Sequence, residues 1–119
     1  MFYYSEVTFK SHKRCHWVDL THNIEEFIKQ CGIICGVCTV SSLHTTGAVT
    51  INENADPDVE SDFFRKLEEL IPQEAWYRHS EGNSDSHLKT SLIGLSVQVP
   101  IKNGSLVTIA MITCQNLGK

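Results

Sequence analysis

The chain has 119 residues, of which 41% are hydrophobic and 20% charged, as expected for one globular domain with a single core. Its formal net charge of −4 argues against a nucleic-acid-binding or anionic-membrane-binding surface. The longest apolar run, at residues 109–112, is far too short to span a bilayer. Five cysteines without a recognisable secretory signal predict reduced thiols and a cytoplasmic protein.

The first half of the chain alternates between strand and helix patterns. Apolar and polar residues alternate over residues 3–10, which predicts a half-buried strand, and a second short strand is predicted at 15–20. The next segment carries Ile24, Phe27 and Ile28 at helical spacing and ends at Gly32. Two more strands are predicted at residues 37–43 and 48–53, where β-formers are frequent.

The second half begins with a strong helix signal at Asp56-Pro57, an N-cap followed by proline at the first helical position. Pro72 ends this helix, and a polar loop follows over residues 73–86. A short helix is predicted at 87–94, then two strands at 96–101 and 105–113 around the turn Lys102-Asn103-Gly104. This order predicts a single α+β domain over residues 1–119, with a mostly antiparallel, sandwich-like β-sheet covered by two main helices.

The stretch of residues 44–58 is more polar than is usual for a strand followed by the start of a helix, which is typical of a functional site. Capping explains Asp56 and partly explains Asn54, whereas Asn52 and Glu53 are poor strand residues that capping does not explain. Amide and carboxylate oxygens of this kind are ligands that Mg²⁺ prefers. Strand alternation nevertheless places Asn52 and Glu53 on opposite faces.

Three histidines are candidate metal ligands or acid–base groups: His44, His79 and His87. They converge only if the strand end at His44 lies beside the loop before His87, and the spacing matches no compact zinc motif. A solvent-exposed histidine at the end of a strand is the competing interpretation of His44.

Lys89 and Ser91, with the backbone amides of residues 82–84, form a candidate phosphate site. The same pattern is also explained by an exposed helix that carries one lysine. The pattern slightly favours this second interpretation. The cysteines are interpreted as structural, because Cys35 and Cys38 lie three apart in a predicted strand and face opposite sides of it.

Three blocks of sequence closely resemble the UPF0047 (YjbQ) family: HTTGAVTINENADPD at residues 44–58, YRHSEGNSDSHLKTS at 77–91 and SVQVP at 96–100. The resemblance runs from about residue 3 to residue 106. It implies an α+β fold, a compact homotrimer and a polar pocket near the subunit boundary. It also implies thiamine-phosphate synthase activity, in which a hydroxymethylpyrimidine diphosphate is joined to a thiazole phosphate with release of pyrophosphate.

Carried over to this sequence, the resemblance implies a pocket that holds His44, Asn52, Glu53, Asn54, His79, His87 and Lys89. With Ser91 from the candidate phosphate site, these residues are expected to form three groups. The catalytic residues would be Glu53, His79 and Lys89. The phosphorylated substrate would be bound by Asn52, Asn54, Lys89 and Ser91, and a divalent metal, Mg²⁺ or Zn²⁺, by His44, His79 and His87. Lys89 and the imidazoles would stabilise the negative charge that builds up on the departing pyrophosphate.

One departure from the family pattern follows the turn at residues 102–104. The family continues through a Gly-Thr-Trp-Gln-Gly segment and a further strand, whereas this chain reads TIAMITCQNLGK from residue 108. The family's last strand is therefore predicted to be missing after about residue 107, which bears on trimer formation and activity. The alternative hypothesis is a non-catalytic oligomer that binds a metal or phosphate.

Overall fold

The computed structural model describes residues 2–107 and 111–116, and the side chains of residues 2–107. The described chain forms two three-stranded sheets and three helices. In chain order they are β1 Cys15–Asp19, α1 Thr21–Cys31, β2 Gly36–Ser41, β3 Gly47–Ile51, α2 Pro57–Leu70, α3 Ser84–Ile93, β4 Ser96–Lys102, β5 Ser105–Leu106 and β6 Met111–Asn116. The predicted α+β fold with antiparallel strands and covering helices is confirmed.

All strand pairs are antiparallel. The first sheet has the order β1-β6-β3, so the last described strand lies in its centre, and the second has the order β2-β4-β5. Asn103 and Gly104 have φ of 54° and 77°, the left-handed conformation that a tight two-residue hairpin between β4 and β5 requires.

Local signals set the helix ends. The Asp56 carboxylate accepts a hydrogen bond from the Asp58 amide at 2.9 Å, and Pro57 is the first residue of α2. Gly32 ends α1 in the left-handed conformation, with φ of 68°. Each helix begins or ends where its cap satisfies backbone groups that lack an intrahelical partner.

The core has two parts. The larger cluster joins α1 to both sheets: Leu20, Ile24, Ile28, Val49, Val99, Ile101 and Leu106. The smaller cluster packs Trp17 and Ala48 against Phe63 and Phe64 of α2. Trp17 and Phe63 have ring centroids 5.5 Å apart, within the range of stabilising aromatic pairs. The smaller cluster fixes α2 against β1, and α3 packs against β3.

Three predictions about the strands and helices are corrected. Residues 3–10 do not form the predicted strand: apart from Phe9, which packs against the core, they are exposed. Alternation of apolar and polar residues identifies a face that could be buried. A strand also needs a neighbouring strand with which its backbone can form hydrogen bonds. Helix α3 begins at Ser84 rather than at residue 87, and the predicted strand 105–113 is divided between β5 and β6 in different sheets.

The predicted loss of the family's last strand stays a prediction, although a strand is present at Met111–Asn116. Within the described part of the chain, no helix is long and apolar enough to cross a membrane.

Candidate functional site

Helix α3 buries polar residues and exposes apolar ones, which is the reverse of an ordinary surface helix. Its buried residues are polar, namely Asp85, Ser86, Lys89 and Thr90, whereas Leu88 and Leu92 are exposed. Burying charged groups costs free energy unless they are paired, so such a face is uncommon in a purely structural helix. The inversion therefore marks α3 as the centre of the candidate site.

The buried face of α3 carries an ion network. The Lys89 ammonium donates to Glu68 Oε2 at 2.6 Å and to Asp85 Oδ2 at 3.1 Å. Arg14 Nη2 donates to the same Asp85 oxygen at 2.8 Å. The Lys89 and Asp85 side chains are only 3% and 0% exposed. The network thus joins α3 to α2 and to the segment before β1.

The charges of this network perturb each other. Burial by itself would raise the pKa of Asp85, but the hydrogen bonds from Arg14 and Lys89 outweigh burial and hold that pKa below its ordinary value of 3.8. The hydrogen bond to Asp85 likewise raises the pKa of Arg14. Burial raises the pKa of the neighbouring Cys15 thiol, although Lys89 and Arg14 oppose it. The Asp85 carboxylate therefore stays ionised at neutral pH.

Three buried oxygen atoms at the start of α3 have no hydrogen-bond partner among the described residues: Asn83 Oδ1, Asp85 Oδ1 and Ser86 Oγ. Buried polar atoms are normally satisfied, so these atoms offer places for a water molecule or another hydrogen-bond donor. The sequence did not point to site roles for the side chains of Arg14, Glu68, Asn83 or Ser86. The only signal available was the polar composition of the segment before Lys89.

Two of the three predicted metal ligands lie together. The His79 and His87 rings are in edge contact, with centroids 5.2 Å apart. A backbone hydrogen bond of 3.0 Å from Gly82 N to His79 O closes the turn between them. This turn brings Glu81 Oε2 to 3.8 Å from His79 Nε2. The loop 79–83 and the first turn of α3 thus form one small polar surface.

His44 lies on a different segment, the turn before β3. It is exposed, and its backbone carbonyl accepts from Ser42 Oγ at 3.2 Å and from the Gly47 amide at 3.4 Å. Among the described residues, no set of three or more histidine, cysteine, aspartate or glutamate side chains is arranged to hold a metal ion. The metal site stays a prediction; the structure brings His79 and His87 together and leaves His44 on a separate segment.

The polar residues after β3 make local or structural contacts. Asn52 Oδ1 accepts from the Glu53 amide at 2.7 Å, and the Glu53 side chain is exposed. Asn54 Oδ1 accepts from Trp17 Nε1 and Asn54 Nδ2 donates to Asp19 Oδ2, both at 3.0 Å. Asn54 thus ties the segment after β3 to β1. These contacts account for the amides at positions 52 and 54 without a substrate.

The exposed face of α3 borders two shallow grooves. The larger, about 550 Å³, lies between the end of α2, Trp76, Tyr77 and the apolar residues of α3. The smaller, about 330 Å³, shares Trp76, Tyr77 and Leu88 with it and extends to Ser84 and His87. The predicted phosphate ligand Ser91 lines the larger groove, and its hydroxyl donates to the His87 carbonyl at 2.8 Å.

Comparison with known proteins gives concordant results. The model of the family described as "UPF0047 protein YjbQ-like" matches residues 5–113. The UPF0047 protein YugU of Bacillus subtilis is 42% identical over 99 residues, covering 82% of this chain and 75% of YugU. The UPF0047 protein MJ1081 of Methanocaldococcus jannaschii is 43% identical over 95 residues, covering 80% and 69% of the two chains.

A solved structure agrees with these sequence matches. The crystal structure of an uncharacterised conserved protein of the YjbQ/UPF0047 family from Clostridium acetobutylicum has a TM-score of 0.87 and 36% identity. The match covers 93% of this chain and 88% of the Clostridium chain.

These relatives correct one prediction and confirm another. The prediction of thiamine-phosphate synthase activity is wrong on this comparison, because the relatives are named only as UPF0047 proteins and the matching structure only as uncharacterised. The reaction was inferred only from the resemblance of sequence motifs. Neither the names of the relatives nor the description of the matching structure mentions this reaction. The family prediction is confirmed by sequence and by structure. The chain belongs to the UPF0047 (YjbQ-like) family.

Proposed function

We propose that this protein binds a divalent metal ion, together with a small phosphorylated molecule, at the surface formed by His79, Glu81 and His87. The observation that carries the proposal is the contact between the two imidazoles, whose ring centroids are 5.2 Å apart. Two imidazoles bound to one tetrahedral zinc, with Zn–N distances of about 2.0–2.1 Å, have centroids roughly 5 Å apart. This centroid separation is compatible with two ligands of one metal ion, although His79, Glu81 and His87 do not stand as a complete three-ligand set in the described structure.

Glu81 supports the same interpretation. Two ligand atoms of one tetrahedral zinc lie roughly 3.4 Å apart. Glu81 Oε2 and His79 Nε2 are 3.8 Å apart, so a shift of a few tenths of an ångström in an exposed side chain would bring both onto one ion. Imidazole ligands favour Zn²⁺ over Mg²⁺, so Zn²⁺ is the metal proposed. Open coordination positions would be left for the phosphate oxygen.

The start of α3 supports anion binding beside this pair. Backbone amides in the first turn of a helix point outward and favour a negative charge. Ser84 and His87 both border the smaller groove at this end of α3. Lys89 has a positioning role in this proposal, because its buried ammonium is held by Asp85 and Glu68.

The test is thermal unfolding of the full chain with added ZnCl₂, with and without inorganic phosphate. We expect Zn²⁺ to raise the melting temperature of the wild type, and phosphate to raise it further. His87→Ala should lose most of both increases. His22→Ala, which removes an exposed histidine from α1, is the matched control and should retain them. No stabilisation by either ion, or an equal response of His87→Ala and wild type, would refute the proposal.

The proposal includes a homotrimer in the cytoplasm. Among the described residues, Cys31, Cys35 and Cys38 are free thiols, which is consistent with a reducing compartment. Val37 in the edge strand β2 and Ile34 just before it are 64% and 66% exposed, and such an edge can associate with another copy. Light scattering during size-exclusion chromatography measures the assembly, and a monomer at micromolar concentration would contradict it.

A further inference from the structure

The N-terminal segment, residues 3–8, resembles a strand that lacks a neighbour. It belongs to the alternating stretch 3–10, and its Tyr4 hydroxyl donates to Glu6 Oε1 at 2.6 Å. Side chains two residues apart meet in this way when the chain is extended, because they lie on the same face. Among the described residues, no strand pairing or backbone hydrogen bond joins this segment to another one. What the segment lacks is a second strand.

Phe9 anchors one end of this segment. Its side chain packs against the larger core cluster of its own copy, whereas the six residues before it, 3–8, are exposed. Tyr3 and Val7 lie on one face and are 42% and 45% exposed, although each carries apolar surface. Apolar side chains on an unpaired extended segment favour its association with the edge of a sheet. The segment therefore leaves the body of the protein from a fixed point.

Strand β2 offers an open edge to such a segment. It pairs with β4 on one side and with no described strand on the other. Val37 lies opposite Pro100, which has no amide hydrogen and whose carbonyl accepts from the Val107 amide at 3.0 Å, on the far side of β4. Val37 is therefore in a non-hydrogen-bonded position of the β2–β4 pair, and its N–H and C=O point towards the open edge.

The same alternation continues along β2. Residues of an antiparallel pair alternate between bonded and non-bonded positions, so the backbone groups of Thr39 and Ser41 also point towards the open edge. The next residue, Ser42, agrees with this pattern, because its amide donates towards β4, to the Leu95 carbonyl, at 2.8 Å. Exposed N–H and C=O groups in a row are a template for a further strand.

We infer that residues 3–8 of one copy pair with the open edge of β2 in a neighbouring copy. This inference rests on the homotrimer included in the proposed function, and it names the segment and the edge that meet. Each copy supplies one segment and one edge, so the contact is heterologous and can close into a ring of three. The two parts match in length, because both have six residues, which corresponds to about 20 Å.

The side chains of the two parts also match. Cys38 and Val40 face the larger core cluster but are only partly buried, so the core is incompletely covered at this edge. The face of the segment that carries Tyr3 and Val7 would extend this apolar layer. Strand β2 carries no charged side chain, so the charge of Glu6 on the other face meets no like charge there.

The first test is proline substitution in the segment, read out by light scattering during size-exclusion chromatography. Val7→Pro removes a backbone donor and obstructs strand pairing. We expect a trimer for the wild type and the mass of a single chain for Val7→Pro, with an unchanged circular dichroism spectrum. Ala75→Pro is the matched control and should remain trimeric. It places proline at the second position of an exposed turn, closed by the Tyr77 amide and the Glu74 carbonyl at 3.3 Å.

The second test substitutes the edge and then mixes two variants. Thr39→Pro removes an amide that points away from β4, so the variant should fold and also be a single chain. Val7→Pro retains an intact edge and Thr39→Pro retains an intact segment. An equal mixture of the two should therefore form a complex of two chains, although neither variant associates alone. Direct pairing of two β2 edges would instead leave Val7→Pro assembled as in the wild type.

Hydrogen exchange of the wild type gives a measurement that does not require a variant to fold. The amides of residues 4–8 should exchange about tenfold or more slowly in the assembled wild type than in an unpaired segment. Fast exchange of these amides in an assembled wild type would overturn the inference. Slow exchange in a single-chain protein would place the pairing within one copy, and it too would overturn the inference.

The outcomes separate the inference from the proposed function. A Val7→Pro variant that remains trimeric would overturn the inference and leave the homotrimer in place. A wild type that is a single chain at micromolar concentration would overturn both the homotrimer and the inference. Neither result bears on the stabilisation by Zn²⁺ and phosphate, which is measured separately.

Discussion

Lys89 Nζ and Asp85 Oδ2 lie 3.1 Å apart, one turn from each other on the buried face of α3. Each side chain neutralises a charge that the interior of the protein would otherwise penalise. Asp85 is held in addition by Arg14, and Lys89 by Glu68. The pair therefore anchors α3, and through α3 it positions the histidine surface and the adjoining apolar grooves, which share His87.

Removing the ammonium should destabilise the fold. Lys89→Met retains the side-chain length but leaves Asp85 with only one cationic partner, and breaking a buried ion pair in this way costs about 3 kcal/mol. Urea unfolding followed by circular dichroism measures the difference. Lys66→Met, which disrupts an exposed pair with Glu69, is the control and should change stability by less than about 0.5 kcal/mol. Similar losses of unfolding free energy in the two variants would show that the buried network contributes no more to stability than an exposed ion pair.

The stability conferred by Asp85 should depend on pH. Because its pKa in the folded protein is below the ordinary value of 3.8, the ionised carboxylate stabilises the fold above that value, and this contribution is lost as pH falls through the folded-state pKa. Asp85→Asn should be less stable than wild type at pH 7, and the gap should narrow below about pH 4.

Urea unfolding of both proteins at a series of pH values measures this gap. Asp62→Asn, at an exposed position of α2, should show a much smaller gap at pH 7. A gap between wild type and Asp85→Asn that stays constant to the acid limit would contradict the prediction.

Asn54 should matter for stability rather than for binding. Asn54→Ala leaves the Trp17 indole N–H and the Asp19 carboxylate each without one hydrogen bond, at a cost of about 1–2 kcal/mol. Chemical unfolding measures the loss, and the thermal shift caused by Zn²⁺ and phosphate should be unchanged. Gln30→Ala removes an exposed amide from α1 and should be nearly neutral. A specific loss of phosphate binding in Asn54→Ala would restore the substrate-binding role predicted for this residue.

The hairpin between β4 and β5 should depend on Gly104. Its φ of 77° is unfavourable for any residue with a Cβ atom, so Gly104→Ala should destabilise the protein by about 1 kcal/mol. The cost comes from the backbone, because an added Cβ would meet only ordinary contacts of 3.9 Å. Gly36→Ala is the comparison, since its added Cβ also meets an ordinary contact, at 3.5 Å, and no positive φ is required there. Unfolding free energies that rank the two variants in reverse order would refute this explanation.

Features determined by neighbouring residues were predictable. Asp56 caps α2 through the Asp58 amide two residues away, and Asn103-Gly104 makes a turn through its own backbone conformation. Such signals involve a few consecutive residues, so their physical causes are visible in the sequence. The strand predicted at residues 3–10 was wrong for the converse reason. Alternation marked a face, but whether a partner strand lies beside it depends on the rest of the fold.

The candidate site was only partly predictable. The sequence predicted that His44, His79 and His87 could converge, and the structure brings together the rings of His79 and His87 but leaves His44 on another segment. The sequence pattern slightly favours an exposed Lys89, but the residue is buried, because it pairs with Glu68, which is distant in sequence, and with Asp85, which Arg14 also holds. Arg14 and Asp85 are 71 positions apart, so no local pattern could reveal their contact.

The sequence by itself determined the family, the α+β class, the cap at the start of α2, the end of α1 at Gly32 and the hairpin turn, because each depends on short motifs or on residue periodicity. Only the tertiary structure decided which face of α3 is buried, what the amides after β3 contact and which histidines meet. Those properties depend on distances between segments that are remote in the chain. Periodicity shows that a helix has two faces, but the charges packed against α3 decide which of them turns inward.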